Sequence, residues 1–370
     1  LVETPWLETM HLVVDLVCYW FDKALKAIRG NGLGAAGLVA TQSIRKGANR
    51  AVLDAIARES RIFDAWADEP WVNDGAAVRV SMLSFGSADS VARLSGVEVP
   101  RITADLGGSA DIDLTLALPL PENVGVAFQG SSKVGAFEIS RALARSWLAQ
   151  PNPHGRPNSD VVRPWANGQT LAKRAGDDWI VEFGTEMTEA EASLYELPFK
   201  HVNQLVRPER LTNNREAYRR YWRRHAEARA GLRAASSGLA RVIATPRVAK
   251  FRYFVWLPVS VLPDTRLYAI AREDDFGFGV LSSRMHEVWS LANASMHGVG
   301  NDPTYNAKSC FETFAFPSAA PEQIDAIARA AKHLNDLRER WLNPPEWTRR
   351  EPEVTPLGMD RSPYPDRILP

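Results

Sequence analysis

Along the first third of the chain, apolar residues alternate between the spacing of a helix and that of a buried strand. From Leu12 to Ile28 they recur every three or four residues, which predicts a helix. Further along, the pattern predicts a helix near Asn49–Arg58 and strands at Gly37–Thr41, Arg61–Trp66 and Ala76–Phe85. Such apolar runs suit a largely buried sheet flanked by helices. They predict one half of a doubly wound α/β domain.

A glycine-rich stretch, GNGLGAAGLVAT, separates the first helix from the first strand and contains the letters G-x-G-x-x-G at Gly32, Gly34 and Gly37. A dinucleotide-binding loop requires a strand before its glycines and a helix after them. Here the order is reversed. The glycines are therefore predicted to end a helix.

The remainder of the chain is less regular. The segment Ala117–Glu122 carries two prolines and predicts a linker. An irregular α+β region, rich in Trp, Pro and Asn, follows to about Pro317. The helix Pro321–Trp341 is then predicted, with an apolar face formed by Ile324, Ile327, Ala331, Leu334 and Leu337. The proline-rich end, Asn343–Pro370, is expected to be extended or packed over the surface.

Composition bounds the class of protein. With 370 residues and 45% apolar content, two domains and a tail are expected. Cys18 and Cys310 lie far apart without metal-type spacing, which favours a reducing cytoplasm with neither a disulfide framework nor a metal site. The sequence contains neither an apolar run of membrane length nor a visible signal peptide. It begins with Leu1 rather than Met, which suggests a fragment or a processed start.

Charge is neutral in total but unevenly distributed. Fourteen Lys and Arg residues lie between Lys200 and Arg252 against three glutamates, a local excess of eleven positive charges. Part of this excess lies on a predicted helix, Arg215–Arg229. The side chains expected to face inward there are Tyr218, Trp222 and either His225 or Tyr221. Such a surface attracts phosphates. The alternative is a solvated helix face whose acidic partners come from elsewhere in the fold.

Two later stretches add candidate nucleic-acid contacts. Ile243–Trp256 is a strand-like run in which Arg247, Lys250 and Arg252 alternate with apolar and aromatic residues, a mixture that suits nucleic acids.

Arg284 and Asn301 are predicted in loops, where their two-point geometry could reach base edges. A lone loop Arg or Asn more often forms a salt bridge or a turn. Neither residue is diagnostic by itself.

Eight segments together carry a family resemblance. They are Asp15–Ala24, Ala40–Arg50, Asp68–Ser81, Asn158–Pro164 with Asn167–Gly168, Trp179–Gly184, Leu194–Phe199, Ile243–Lys250 and Cys310–Pro317. In this order they resemble the MmeI-like class of adenine-N6 DNA methyltransferases of restriction–modification systems. The resemblance implies a methyltransferase domain followed by a target recognition domain, at times with an N-terminal nuclease. It further implies S-adenosylmethionine as cofactor, double-stranded DNA as partner, no membrane association, and a prokaryotic cytoplasmic location.

The resemblance also divides the chain. It implies that residues 1–118 are the distal half of a Rossmann-like class I methyltransferase sheet, 122–317 the target recognition domain, and 318–370 a C-terminal helix and tail. Two family motifs, expected upstream of Asp15, do not occur in position: the glycine-rich S-adenosylmethionine loop and the Asn-Pro-Pro-aromatic tetrapeptide. Asn343–Glu346 is acidic at its fourth residue and lies at the wrong end of the chain. Phe276–Gly279 falls inside the recognition region. The chain alone is therefore expected to be inactive and to need the missing methyltransferase half as a partner.

Site residues follow from the same resemblance. It implies that Trp71 stacks on the target base and that Asp15 and Gln42 border the cofactor. Phe128–Lys133 resembles the family's entry loop to the recognition domain. The candidate DNA contacts are Arg219, Arg223, Arg247, Lys250, Arg252, Arg284 and Asn301.

Several alternatives stay open at this point. Trp71 could be a core residue, and Asp15 could cap a helix. The acidic residues Glu186, Glu189, Glu191 and Glu196 are interpreted as solvated or as partners of the arginines. At the level of function, the alternatives are a non-catalytic DNA-binding specificity module and a degenerate remnant.

Overall fold

The computed structural model forms helices and strands in most of the segments where the apolar pattern predicts them. It describes residues 14–370 except 74–75, 88–90, 109–113, 115–116, 175–176 and 298–301. The chain divides into unit 1, Leu1–Leu118 with Ala292–Thr304, and unit 2, Pro119–Leu291 with Tyr305–Pro370. The sequence-based division instead keeps Ala292–Thr304 with the recognition domain.

The described helices and strands have the following bounds. The α-helices are α1 Val17–Arg29, α2 Arg50–Glu59, α3 Arg141–Ala149, α4 Gly168–Ala172, α5 Glu189–Ser193, α6 Glu196–Leu205, α7 Arg207–Leu211, α8 Glu216–Arg220, α9 Ala230–Ala235, α10 Asp275–Leu281, α11 Arg284–Ala292 and α12 Pro321–Leu342. The strands are β1 Ala35–Thr41, β2 Arg61–Asn73, β3 Ala76–Gly86, β4 Ala92–Leu94, β5 Val97–Val99, β6 Ala127–Gln129, β7 Glu138–Ser140, β8 Val162–Ala166, β9 Asp178–Val181, β10 Arg241–Pro246, β11 Val255–Pro258, β12 Leu262–Pro263, β13 Leu267–Ile270, β14 Met296–His297, β15 Asp302–Pro303, β16 Arg349–Glu351 and β17 Arg367–Leu369. Short 3-10 turns occupy Gln42–Arg45, Gly47–Asn49 and Asn158–Asp160, and a π-helical turn occupies Ala307–Phe311.

Helix α1 ends at the glycine-rich stretch, as the sequence predicts. Its buried side chains, Cys18, Phe21, Asp22, Leu25 and Ile28, follow helical spacing. Gly30 N–H donates to Lys26 O at 3.0 Å and Gly32 N–H to Ala27 O at 2.8 Å. These bonds satisfy carbonyls of the last turn, and β1 follows directly. The glycines therefore terminate a helix.

The sheet of unit 1 has the order β1-β3-β2-β4-β5. Strand β3 pairs antiparallel with both neighbours, and only β2 and β4 are parallel. Because Asn73 pairs with Ala76, β2 and β3 are joined by too short a connection for a parallel crossover. The α/β class is confirmed, while these described pairs differ from the parallel pairing of a doubly wound half.

Unit 2 contains two four-stranded sheets. The first has the order β11-β10-β13-β6 and is antiparallel throughout. The second has the order β12-β8-β9-β7, with β12 parallel to β8. Aromatic side chains fill the clusters beside both sheets. The first of these sheets fixes both ends of the connection between β10 and β11.

The proline-rich end packs against unit 2, in agreement with the sequence expectation. Tyr364 donates its hydroxyl to Val162 O at 3.0 Å, and its ring meets the edge of Trp179 at 4.8 Å. Glu353 is 4% exposed and accepts from Arg145 at 3.0 Å.

The apolar face of helix α12 is only partly covered. Ala331 is buried, whereas Leu334 and Leu337 are each 49% exposed. No described helix is both long enough and apolar enough to span a bilayer.

Candidate nucleic-acid interface

The arginine segment, residues 215–224, is not the single helix that its sequence predicts. Helix α8 ends at Arg220, and the next described helix begins at Ala230. Trp222 and Arg223, which are consecutive, are both buried, as is His225. The chain thus leaves the helical conformation after Arg220, and the three buried side chains lie beyond the end of the helix.

Tyrosine rings hold the guanidinium groups of the arginine segment. Arg215 lies 5.4 Å and Arg210 4.5 Å from the centre of the Tyr218 ring. Arg220 and Arg224 lie 5.3 Å and 4.7 Å from the Tyr221 ring. Cation–π contacts restrict side-chain motion without neutralising charge. The rings therefore hold these arginines in place, and the positive charge of the arginines is not neutralised.

Two arginines of this region face inward. Arg223 is 5% exposed and donates to Met187 O at 2.7 Å. Arg210 is 2% exposed and donates to Val134 O at 2.9 Å. Burial lowers the pKa of both, although an arginine remains charged. Arg223, a candidate DNA contact, thus holds the fold in this conformation, while Arg219 is exposed and donates to Asn213 O at 2.6 Å.

The Glu182 centre is a buried carboxylate with two arginines. Glu182 is 3% exposed, pairs with Arg233 and lies 3.8 Å from Arg163 Nη1. Arg163 also donates to Val259 O at 2.9 Å. Burial lowers the pKa of Arg163, and the Glu182 charge opposes that shift. Arg233 therefore fits the alternative to a phosphate-binding surface, because its acidic partner comes from another part of the fold. Sequence reasoning missed this centre, whose signal is one carboxylate directly after the apolar strand β9.

His225 joins the arginine segment to the Phe128–Lys133 stretch. Its Nδ1 lies 2.9 Å from Ser131 Oγ and its Nε2 lies 3.0 Å from Val181 O. Because a carbonyl only accepts, Nε2 donates and Nδ1 accepts from the serine hydroxyl. Complete burial lowers the pKa of His225 and keeps it neutral. This contact is structural.

The strand-like run Ile243–Trp256 forms a hairpin rather than one strand. Strand β10 ends at Pro246, β11 begins at Val255, and residues 247–254 connect them. We call this connection the 247–254 loop. Arg247 and Lys250 are exposed, and Phe251 is 72% exposed. Arg247 and Lys250 therefore lie in a loop, where exposed side chains can contact a ligand.

Arg252 anchors this loop to the core. Its Nη1 donates to Thr245 Oγ1 at 2.9 Å and to Pro246 O, and its guanidinium lies 5.1 Å from the Tyr305 ring centre. Tyr305 N–H in turn donates to Arg247 O at 2.6 Å. Burial lowers the pKa of Arg252. As a candidate DNA contact, Arg252 is placed beneath the loop and not at its tip.

His286 completes the anchor. Its Nε2 lies 2.9 Å from Tyr305 Oη, and its ring is 5.6 Å from Phe254. Burial, followed by the nearby charge of Arg252, lowers the pKa of His286 to about 3. The histidine is therefore neutral at physiological pH.

The remaining candidates of the region are scattered. The side chain of Arg284 is 77% exposed and pairs with Glu287 at 2.6 Å, as expected for a helix i,i+3 pair. Asn301 lies outside the described residues. Glu189 lies 4.0 Å from Arg223, and Glu196 pairs with His154 instead of an arginine.

Most of the local charge excess lacks acidic partners. Among the described residues, eight of the fourteen cations have no carboxylate within 4.0 Å: Lys200, Arg207, Arg215, Arg219, Arg220, Arg224, Arg247 and Lys250. Four others are paired, and Arg210 and Arg252 are held by carbonyls. Of these eight cations, four lie on the arginine segment, two on the 247–254 loop, and Lys200 and Arg207 on helices α6 and α7.

In unit 1, Asp15 lies in a polar cluster at the carboxyl end of β1. It precedes helix α1 instead of lying within it, and its side chain does not cap that helix. Asn49 Nδ2 donates to Asp15 Oδ2 at 2.7 Å, and Asp15 N–H donates to Asn49 Oδ1 at 2.8 Å. Ser43 Oγ lies 3.3 Å from the same carboxylate, directly after Gln42. The structure thus brings the Asp15 and Gln42 segments together.

Trp71 lies on the second half of β2, opposite Val78. A bulge between Trp66 and Glu69 separates this half from the buried start of the strand. Trp71 is 44% exposed, which argues against a core role. Stacking on a base stays a prediction.

Cys18 and Cys310 are both buried and do not form a disulfide. Within the described ranges, His, Cys, Asp and Glu side chains do not form a group of three that could hold a metal ion.

Comparison with solved structures shows a fold match to a restriction-modification enzyme. The structure of the type IIL restriction-modification enzyme MmeI in complex with DNA matches with a TM-score of 0.69 and 18% identity, covering 92% of this chain and 48% of that one. This chain has the fold of about half of MmeI. The resemblance inferred from the eight segments is thereby confirmed for the fold. The type IIG restriction endonuclease BpuSI matches 87% of this chain and 48% of its own, with 10% identity and a TM-score of 0.27. Neither a protein-family model nor a curated protein matches the sequence.

Proposed function

We propose that this chain is a DNA-binding part of a restriction–modification or related phage-defence enzyme. Residues 1–118 would be the distal half of an adenine-N6 methyltransferase domain and residues 122–317 its target recognition domain. The observation that carries this proposal is the fold match, over 92% of the chain, to an enzyme described in complex with DNA.

The exposed cations support a DNA partner. Arg219 and Arg220 lie on helix α8, Arg215 directly before it, and Arg247 and Lys250 on one loop, all without carboxylate partners among the described residues. Cations of this kind neutralise phosphates and release counterions, which makes affinity strongly salt-dependent. Phosphate contacts fix the register of a protein on the duplex, whereas side chains in loops read base edges.

Unit 1 offers a platform for an extruded base. Methylating an adenine within a duplex requires flipping it out of the stack, where an aromatic ring holds it. Trp71 is an exposed indole suited to that role. Its strand neighbour Val72, whose side chain points to the opposite face of the sheet, is 73% exposed as well, so both faces are open to solvent at these two residues.

The residues present do not by themselves fit S-adenosylmethionine. Asp15 offers a carboxylate at the carboxyl end of β1, where α/β sheets bind ligands, but its Oδ2 already accepts from Asn49 and Ser43. The glycine-rich loop that would hold the cofactor is missing from the sequence at the required place. We therefore expect methyl transfer only when the half of the domain that carries this loop is present together with residues 1–118.

DNA binding is tested with the full chain and fluorescein-labelled 30-base-pair duplexes, by fluorescence anisotropy between 50 and 300 mM salt. With four to eight phosphate contacts, the slope of log affinity against log salt is expected to be about −4 to −7. A slope near zero, or affinity unchanged by substituting Gln for Arg215, Arg219 and Arg220, would refute the proposal.

A second candidate is a non-catalytic specificity module, favoured because Asp15 Oδ2 already accepts from Asn49 and Ser43. Calorimetry with S-adenosylmethionine and a methyl-adenine assay separate the two. An enzyme fragment gains methylation when mixed with an MmeI-like polypeptide carrying both motifs, and W71A reduces that activity. A specificity module gains none. Methyl-adenine formed by the chain alone would contradict the inference that it lacks the Asn-Pro-Pro-aromatic motif.

A further inference from the structure

Phe251 is an exposed aromatic ring that the proposed phosphate contacts do not use. It is 72% exposed at a bend of the 247–254 loop, with Lys250 Nζ 5.4 Å from its ring centre. Trp341 and Trp347 are as exposed, but they lie at the end of helix α12 and just beyond it. Phe251 follows Lys250 and lies in the same loop as Arg247, and neither of these cations has a carboxylate within 4.0 Å among the described residues.

The loop presents this ring on a fixed base. On one side of the tip, Arg247 O accepts from Tyr305 N–H at 2.6 Å. On the other, Arg252 Nη1 donates to Thr245 Oγ1 at 2.9 Å, and that hydroxyl donates to Tyr253 O at 2.8 Å. Few residues remain between these anchors. The tip therefore has little conformational freedom to lose on binding.

An apolar ring flanked by cations matches the chemistry of a base stack. Cations approach the phosphates, while the ring enters between base steps or stacks on a base face. A protein partner would favour an apolar pocket around the ring, without a need for Arg247 or Lys250. The charge around Phe251 thus favours a nucleic acid.

We propose that Phe251 is a stacking wedge whose ring inserts into the base stack of the bound duplex, beside phosphates contacted by Arg247 and Lys250. This inference rests on the proposed DNA-binding function. Insertion requires neighbouring bases to separate, so it is favoured where stacking is already weakened.

The test compares an intact 30-base-pair duplex with the same duplex carrying one central abasic analogue. The full chain should prefer the abasic duplex by about tenfold, the scale of one ring–base stack. F251A should lose that preference, F251W should keep it, and W341A, which removes an equally exposed ring elsewhere, should behave as wild type. Urea midpoints should stay unchanged for all three variants.

Salt dependence separates the two possible failures. If wild type binds duplexes with a steep salt slope but without the abasic preference, or if F251A retains the preference, the wedge is refuted and DNA binding stands. An equal loss of affinity for both duplexes in F251A also refutes the wedge. A wild-type chain without salt-dependent binding refutes the proposed function itself.

Discussion

The Glu182 centre and the arginine segment are both rich in arginine, yet their guanidinium groups have opposite surroundings. In the Glu182 centre, a carboxylate with 3% exposure is paired with Arg233 and faces Arg163. In the arginine segment, Tyr218 and Tyr221 take the place of carboxylates beside Arg215 and Arg220. A carboxylate neutralises a cation, whereas a ring positions it and leaves its charge available.

This difference shows why counting positive residues does not locate a polyanion-binding surface. Arg233 belongs to the same stretch as Arg220, but its partner Glu182 lies 51 positions away along the chain. An arginine with a distant acidic partner stabilises the fold. One without such a partner contributes to the external field.

The largest effect on stability is expected from Glu182→Gln. Removing the carboxylate leaves Arg163 buried without its counter-charge, which should lower the free energy of unfolding by about 3–5 kcal/mol. Urea unfolding followed by tryptophan fluorescence measures this. Glu227→Gln is the matched control, because Glu227 pairs with Arg229 at 2.5 Å on the surface. Its loss should cost about 1 kcal/mol or less. Equal effects of the two changes would mean that burial does not distinguish these pairs.

Arg252→Met should be next in size. The change removes donors to Thr245 Oγ1 and Pro246 O, each a charge-assisted bond, and should cost about 2–3 kcal/mol. Proteolysis within the 247–254 loop should become faster as the anchor is lost. Arg247→Met, in the same loop but exposed, should change the unfolding free energy by about 0.5 kcal/mol or less. A stable, protease-resistant Arg252→Met protein would show that the anchor is dispensable.

His286 predicts a pH dependence below neutrality. Its pKa is about 3 in the folded chain against 6.5 ordinarily, so the unfolded chain binds more protons between these values. The stability due to neutral His286 is complete above pH 6.5 and falls as pH decreases through this window, by about 1.4 kcal/mol per pH unit.

Unfolding free energies of wild type and His286→Phe, compared from pH 7 to pH 4.5, isolate this contribution. The variant should lose less stability on acidification than wild type. His154→Phe serves as a control for the substitution itself, since the His154 side chain is 43% exposed. Parallel curves for wild type and His286→Phe would exclude the assigned role.

The smallest effect on stability is expected from replacing Arg215, Arg219 and Arg220 by Gln together. Loss of surface cation–π contacts should cost about 1 kcal/mol or less. Duplex affinity should nevertheless fall, with the salt slope reduced by up to about 2.7 for three lost phosphate contacts. The matched triple Lys variant should keep most of the slope. A large stability loss with an unchanged slope would assign these arginines to the fold.

Local elements were well predicted because their signals are local. Helix α2 and strands β1 and β3 fall within two residues of the predicted bounds. Two longer predictions were wrong. The predicted helix Arg215–Arg229 ends at Arg220, and the run Ile243–Trp256 turns back at the 247–254 loop.

Part of the candidate site could also be predicted. Sequence reasoning selected Arg219, Arg247 and Lys250, which are exposed, because the charge of a residue can be read directly from the sequence. It could not separate them from Arg223 and Arg252, which have the same chemistry and lie a few residues away. That separation depends on which backbone carbonyls and rings the fold brings near each guanidinium.

The sequence by itself determined the α/β class, the helix that ends at the glycines, and the concentration of cations between Lys200 and Arg252. Hydrogen bonds of helices and the alternation of strands link residues close in the chain, so these features leave local patterns. Only the tertiary structure decided which arginines are available. Partners such as Glu182 with Arg233, or Tyr305 with Arg252, are 51 or more positions apart. Their pairing depends on how the sheets pack, and the local periodicity of the sequence does not predict it.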